Sequence, residues 1–158
     1  MSGTVLAIIA DTHIGSSTAL APLTFTVHNR NSLETQVTQA NRLQRWLYDC
    51  WLDYWDHVFR VAKKKRLIVV HCGDIVDGLH HNSLQVMNEV QDQAQAAVEL
   101  LEPIVKKVDA FFGVLGTSIH AGQEHVSEVG IYDQLGAQDY GQTLTLEIDG
   151  KLHDFAHH

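Results

Sequence analysis

The sequence predicts an α/β fold, a layered sandwich with a mostly parallel central sheet and helices on both faces. Three observations predict it. Apolar, β-branched runs recur at Thr4 to Ala10, Leu67 to Val70 and Ala110 to Leu115. Segments with helical spacing of apolar residues separate them, and a two-residue hairpin signal lies near the end. Strands that are apolar on both faces and alternate with helices belong to parallel sheets covered on both sides.

The first run, Thr4 to Ala10, stops at Asp11, as a fully buried strand would. A loop rich in Ser, Thr and Asn is expected to about Asn31, with Asn31 or Ser32 capping a helix from Leu33 to about Ala62. Leu43, Trp46, Leu47, Cys50, Trp51, Tyr54, Trp55, Val58 and Phe59 fall at three- and four-residue spacing, so these aromatics are assigned to the core. Lys63-Lys64-Lys65-Arg66 complements the helix C-terminal dipole. The second strand, Leu67 to Val70, runs into His71-Cys72-Gly73-Asp74, and alternation turns His71 away from Cys72 as a core histidine. A helix from about Ser83 to Val108 follows, kinked or restarted at Pro103. The third strand leads into Gly116-Thr117, and another helix spans about Glu124 to Leu135. Leu144 to Ile148 and Leu152 to Ala156 flank Asp149-Gly150, which predicts a hairpin. No repeat, low-complexity tract or linker appears, so residues 1–158 are expected to form one domain.

Composition narrows the function. Hydrophobic residues at 45% and charged residues at 19% describe a globular chain. No apolar run approaches the ~20 residues of a membrane span, and the N-terminal run lacks the basic flank of a signal peptide. Two unclustered cysteines, Cys50 and Cys72, build neither a disulfide framework nor a zinc ribbon, which points to a reducing, cytoplasmic setting. A net charge of −8 argues against non-specific nucleic-acid binding. It leaves room for metal-assisted phosphoester chemistry, because bound cations invert the local field. Of eleven histidines, nine precede residue 157, so they are part of the protein rather than a tag.

The chemistry-bearing residues follow the strands. Asp11 and His13 come after the first, Asp74 and Asp77 after the second, Thr117 and His120 after the third, and His157 and His158 after the last. In open α/β sheets the carboxyl ends of strands converge on one crevice. If the segment stays extended, Asp11-x-His13 places both side chains on one side, and Gly73 permits a tight path that aims Asp74 across the strand ends. Mixed carboxylate and imidazole ligation suits Mn, Fe, Zn or Ni better than Mg. His80 and His81 fall in a polar loop beside the second motif, and His153-x-x-x-His157 is even spacing along a strand.

The order Asp-x-His, Gly-Asp-x-x-Asp, a glycine-led histidine segment and a late strand ending in histidine resembles the calcineurin-like metallophosphoesterases, from Asp11 to His158. That resemblance implies Asp11 and His13 on a first metal, Asp74 bridging two metals, and His157, or His158 in its place, on the second. It implies Asp77 orienting a catalytic histidine. The family's Gly-Asn-His segment is here Gly116-Thr117-Ser118-Ile119-His120. Thr117 occupies the place of the ligand Asn, and His120 is either the general acid or a substitute ligand, the acid being preferred. The family's closing Gly-His-x-His does not appear before His158, so the domain is expected to be incomplete at its C terminus. The implied activity is hydrolysis of a phosphomonoester or phosphodiester by a hydroxide held between two divalent ions, expected to be manganese. The rivals are a non-catalytic module of the same fold and a nuclease. Sequence leaves the substrate and oligomeric state open.

Overall fold

A computed structural model describes residues 3–29, 34–79, 84–121 and 126–157. Four strands build the central sheet: β1 (Thr4–Ile9), β4 (Arg66–Cys72), β5 (Ala110–Val114) and β6 (Asp139–Gly141). They lie in the order β1-β4-β5-β6 and every pairing is parallel, with Leu6 opposite Ile68 and Val70 opposite Phe112. Helices α1 (Arg42–Ala62), α2 (Val90–Val105), α3 (Ser118–Ala121) and α4 (Val126–Leu135) supply the crossovers. Among the described residues no helix is long and apolar enough to cross a membrane.

The segment before α1 corrects the sequence reading. Instead of a loop and an early helix, β2 (Thr24–His28) and β3 (Thr35–Gln39) pair as an antiparallel ribbon. Thr24, Thr26 and His28 alternate with Phe25 and Val27, and Phe25 is buried, so a period of two was present in the chain. Thr35, Val37 and Thr38 are β-branched and favour strand over helix. The helix starts only after Asn41, whose side chain accepts from the Gln44 amide at 3.0 Å while Gln44 returns a bond to the Asn41 amide. Asn31 and Ser32 lie outside the described residues. Helix α2 likewise begins at Val90 rather than Ser83. Residues 84–87 are drawn instead to the first loop, where Leu84 accepts from Ser17 and Val86 donates to Gly15. Three-residue β6 is too short to leave a periodic signal.

Alternation along β4 divides the core. Leu67 and Val69 face the three long helices together with Trp51, Trp55, Leu101 and Ile131. Ile68 and Val70 face the opposite way, toward Leu144, Ile148 and Phe155 of the hairpin β7 (Thr143–Ile148) and β8 (Lys151–Ala156). Among the described residues the second face is therefore covered by a β-ribbon, so the layered α/β architecture holds while the expected helices on both faces do not. A two-stranded ribbon suffices because each buried aliphatic side chain contributes roughly 1.5–3 kcal/mol. Its Asp149-Gly150 turn has φ of +51° and +77°, the geometry that this dipeptide prefers. The Asp149 carboxylate accepts from the Thr4 amide and hydroxyl at 3.0 Å, tying the turn to the start of β1. Trp46 and Tyr54, expected in the core, are exposed on α1.

His71 is fully buried, as alternation predicted. The Thr12 hydroxyl donates to Ile75 O at 2.9 Å and lies 3.3 Å from His71 Nε2, while His71 Nδ1 has no hydrogen-bond partner. Burial pushes its pKa from 6.5 down to about 3; Asp74 opposes the shift, and His157 and His13 add to it. The unfolded chain thus binds a proton that the folded chain refuses, so stability is complete above pH 6.5 and drains away as pH falls toward 3. Urea unfolding should show wild type losing about 2 kcal/mol more than His71→Asn between pH 8 and pH 5. Parallel pH dependences for the two proteins would remove His71 as the cause.

Candidate metal centre

The carboxyl ends of β1 and β4 continue side by side beyond the sheet. Asp11 donates its amide to Gly73 O at 3.1 Å, His13 to Asp74 O at 3.0 Å, and Ile14 to Ile75 O at 2.9 Å. Asp77 then donates to Ile14 O at 2.9 Å. This zipper is not extended: Asp11, His13 and Asp74 have φ of +54°, +42° and +52°. The expected extended Asp-x-His geometry is therefore wrong; the bends bring Asp11 Oδ1 to 3.6 Å from His13 Nε2, but the two side chains fall in different donor groups instead of sharing the one ion that was expected. Left-handed backbone at non-glycine residues costs energy and concentrates at functional sites.

Two glycines let the third loop join. Gly73 has φ +82°, and a Cβ there would stand 2.6 Å from Gly116 Cα. A Cβ on Gly116 would overlap Asp74 Oδ1 and the Asp74 amide. This contact lets Thr117 donate its amide to Asp74 Oδ1 at 2.7 Å and its hydroxyl to the same carboxylate at 3.2 Å. Thr117, expected in a ligand's place, orients Asp74 here. Glu128 of α4 is fully buried and accepts from the Ile75 amide at 3.0 Å and the Gly116 amide at 2.6 Å, clamping the β4 and β5 loops together. Sequence reasoning missed Glu128. Its signal was an acidic residue three, four and seven positions before Ile131, Tyr132 and Leu135, squarely in the apolar stripe of its helix.

Six of the expected site residues meet there in two adjoining trios. Asp11, Asp74 and His157 form one, and His13, Asp77 and His120 the other, each offering donor atoms within 4.8 Å of one another. Asp74 Oδ2 lies 3.2 Å from His157 Nε2 and 3.8 Å from His120 Nε2, so it stands between the trios. Asp74 and Asp77 are buried while Asp11 is exposed. His157 Nδ1 lies 2.7 Å from Cys72 O and His120 Nδ1 lies 2.7 Å from Asp77 O. A ring N–H donating to a carbonyl leaves the other nitrogen free to ligate, the arrangement common at metal sites. Asp77 thus steadies His120 through its backbone carbonyl. Its carboxylate instead lies 3.9 Å from His13 Nδ1 and accepts from Gln85 Nε2 at 3.0 Å. Burial disfavours the charged form of His157, but the Cys72 carbonyl, Asp74, Asp11 and Glu128 outweigh it and raise its pKa.

His158, His80 and His81 lie outside the described residues. His153 sits in β8 opposite Leu146 and belongs to neither trio. The donor set fits a cation. Three carboxylates and three imidazoles face one another, His13 Nδ1 is buried without a hydrogen-bond partner, and Asp11 and Asp74 find only histidines as ion-pair partners among the described residues. Scanned against protein families, the chain matches no family model, and it matches no curated protein.

Gly116→Ala should cost about 1–3 kcal/mol in urea unfolding, since the new methyl group must displace Asp74. Gly130→Ala, where a Cβ meets nothing within 4 Å, should be neutral or stabilising. Equal effects of the two substitutions would mean that close packing of Gly116 on Asp74 is unimportant.

Proposed function

We propose that the protein is a divalent-metal-dependent phosphoesterase, hydrolysing a phosphomonoester or phosphodiester. One observation supports this above the rest: two trios of mixed carboxylate and imidazole donors face each other across Asp74 at the ends of β1, β4, β5 and β8. Mixed nitrogen and oxygen donors suit Mn, Fe, Zn or Ni better than Mg, and Mn is the metal to try first. The resemblance of the Asp-x-His and Gly-Asp-x-x-Asp segments to calcineurin-like phosphoesterases points the same way. Asp11, Asp74 and His157 would hold one ion; His13 and Asp77 would hold a second, with Asp74 between them. Bound there, two cations would make water a usable nucleophile near neutral pH and neutralise charge on the phosphoryl oxygens.

The chain's own residues supply orientation and a proton. Glu128 and Thr117 fix Asp74, and the Cys72 carbonyl fixes the His157 ring. The Asp77 carbonyl fixes His120 with Nε2 turned toward the cluster. In the reaction a water oxygen bonds to phosphorus and the phosphorus–oxygen bond to the leaving group breaks. The bonding pair leaves with that oxygen, which takes a proton from His120 Nε2. The proton that the attacking water gives up passes to solvent, and solvent resupplies the proton at His120 Nε2.

With Mn²⁺ and bis-p-nitrophenyl phosphate, Asp74→Asn should lose more than the ~10–100-fold expected from removing a mere supporting partner. A wild-type protein that binds Mn²⁺ without turnover would favour the non-catalytic module. His120→Gln should lose about 10²–10⁴-fold in kcat while calorimetric Mn²⁺ affinity stays within a few-fold. Loss of Mn²⁺ binding in that variant would make His120 a ligand instead.

A further inference from the structure

We infer that the cavity beside the metal-capable cluster is the leaving-group subsite, and that it takes phosphoesters of uncharged, apolar alcohols or phenols in preference to polyanions. The inference rests on the phosphoesterase reading and adds a substrate class to it. The cavity measures about 670 Å³, within the range of small-molecule sites. Asp11, His13 and His120 line it together with the apolar side chains of Ile9 of β1 and Leu47 and Trp51 of α1. His120 thus belongs both to the cluster and to the cavity lining, where a proton donor to a departing oxygen is needed.

Charge decides the class of the leaving group. Among the described residues lining the cavity there is no lysine or arginine, and the acidic ones are Asp11 and Asp77. A nucleic-acid strand brings flanking phosphates that require basic partners. Here those phosphates would find no lysine or arginine among the described lining residues, on a chain of net charge −8. An aryl or alkyl group instead buries apolar surface against Leu47 and Trp51 and leaves no charge unpaired.

The test compares non-hydrolysable phosphonates on the Mn²⁺-loaded protein by calorimetry. Phenylphosphonate should bind about tenfold tighter than methylphosphonate, and 2-carboxyethylphosphonate no tighter than methylphosphonate. Leu47→Asp should reduce the phenyl preference to within about twofold. If that variant fails to fold, Tyr54→Arg, at an exposed position in the same lining, should shift preference toward the carboxyethyl compound. Equal binding of the phenyl and methyl compounds to wild type, or a tenfold preference untouched by either variant, overturns the inference. The phosphoesterase reading is judged separately, by Mn²⁺-dependent turnover of bis-p-nitrophenyl phosphate. Turnover without phosphonate selectivity sinks the subsite alone.

Discussion

The candidate site depends on one buried carboxylate. Glu128 receives the amides of Ile75 and Gly116, which belong to loops that follow different strands. Those amides point into the protein, where an unpaired N–H would cost roughly 1–3 kcal/mol. Satisfying both with one side chain fixes the spacing of the two loops. That spacing sets Gly116 against Asp74 so closely that neither residue can shift without the other. Asp74 in turn stands between the two trios. Its position is thus inherited from a helix that contributes no ligand.

The second constraint is the backbone path at the ends of β1 and β4. A strand that kept its pleat would send alternate side chains to opposite faces. The left-handed turns at Asp11, His13 and Asp74 take these residues out of the pleat, so the approach of Asp11 to His13 comes from the bends and not from strand alternation. Parallel hydrogen bonds between residues 11–14 and 73–75 offset the cost, since they extend the sheet's pairing past the point where the strands have bent. Thr12, between the two bends, turns inward and bonds Ile75 O beside the buried, neutral His71. The result is a polar cluster on top of a dry layer. There a charge on Asp74 finds histidines and the Thr117 donors instead of bulk water.

Chemistry and shape agree at this edge. Asp11 and Asp74, whose ion-pair partners among the described residues are all histidines, suit a multivalent cation. The adjoining cavity has the opposite character, apolar along α1 and without cationic lining among the described residues. On the proposed phosphoesterase reading, a substrate that suits both regions would carry its negative charge at one end only. The same contrast weighs against the nuclease alternative more directly than net charge does, because it concerns the walls that a bound strand would touch.

The sequence by itself determined that the buried strands run parallel, the terminal hairpin and the residue types at each strand end. Local pattern carries these: an apolar run with no alternation has to be covered on both faces, and Asp149-Gly150 adopts its turn from its own backbone preferences. His71 was legible for the same reason, by alternation within one strand. The β2–β3 ribbon was present as a period of two at Thr24 to His28 but was obscured by its polar composition. Only the tertiary structure decided which face the hairpin covers, that Asp77 holds His120 by its carbonyl, and that Glu128 joins the loops. Each of these depends on where segments distant in the chain come to rest, and spacing along one strand or helix carries no record of the neighbour that packs against it.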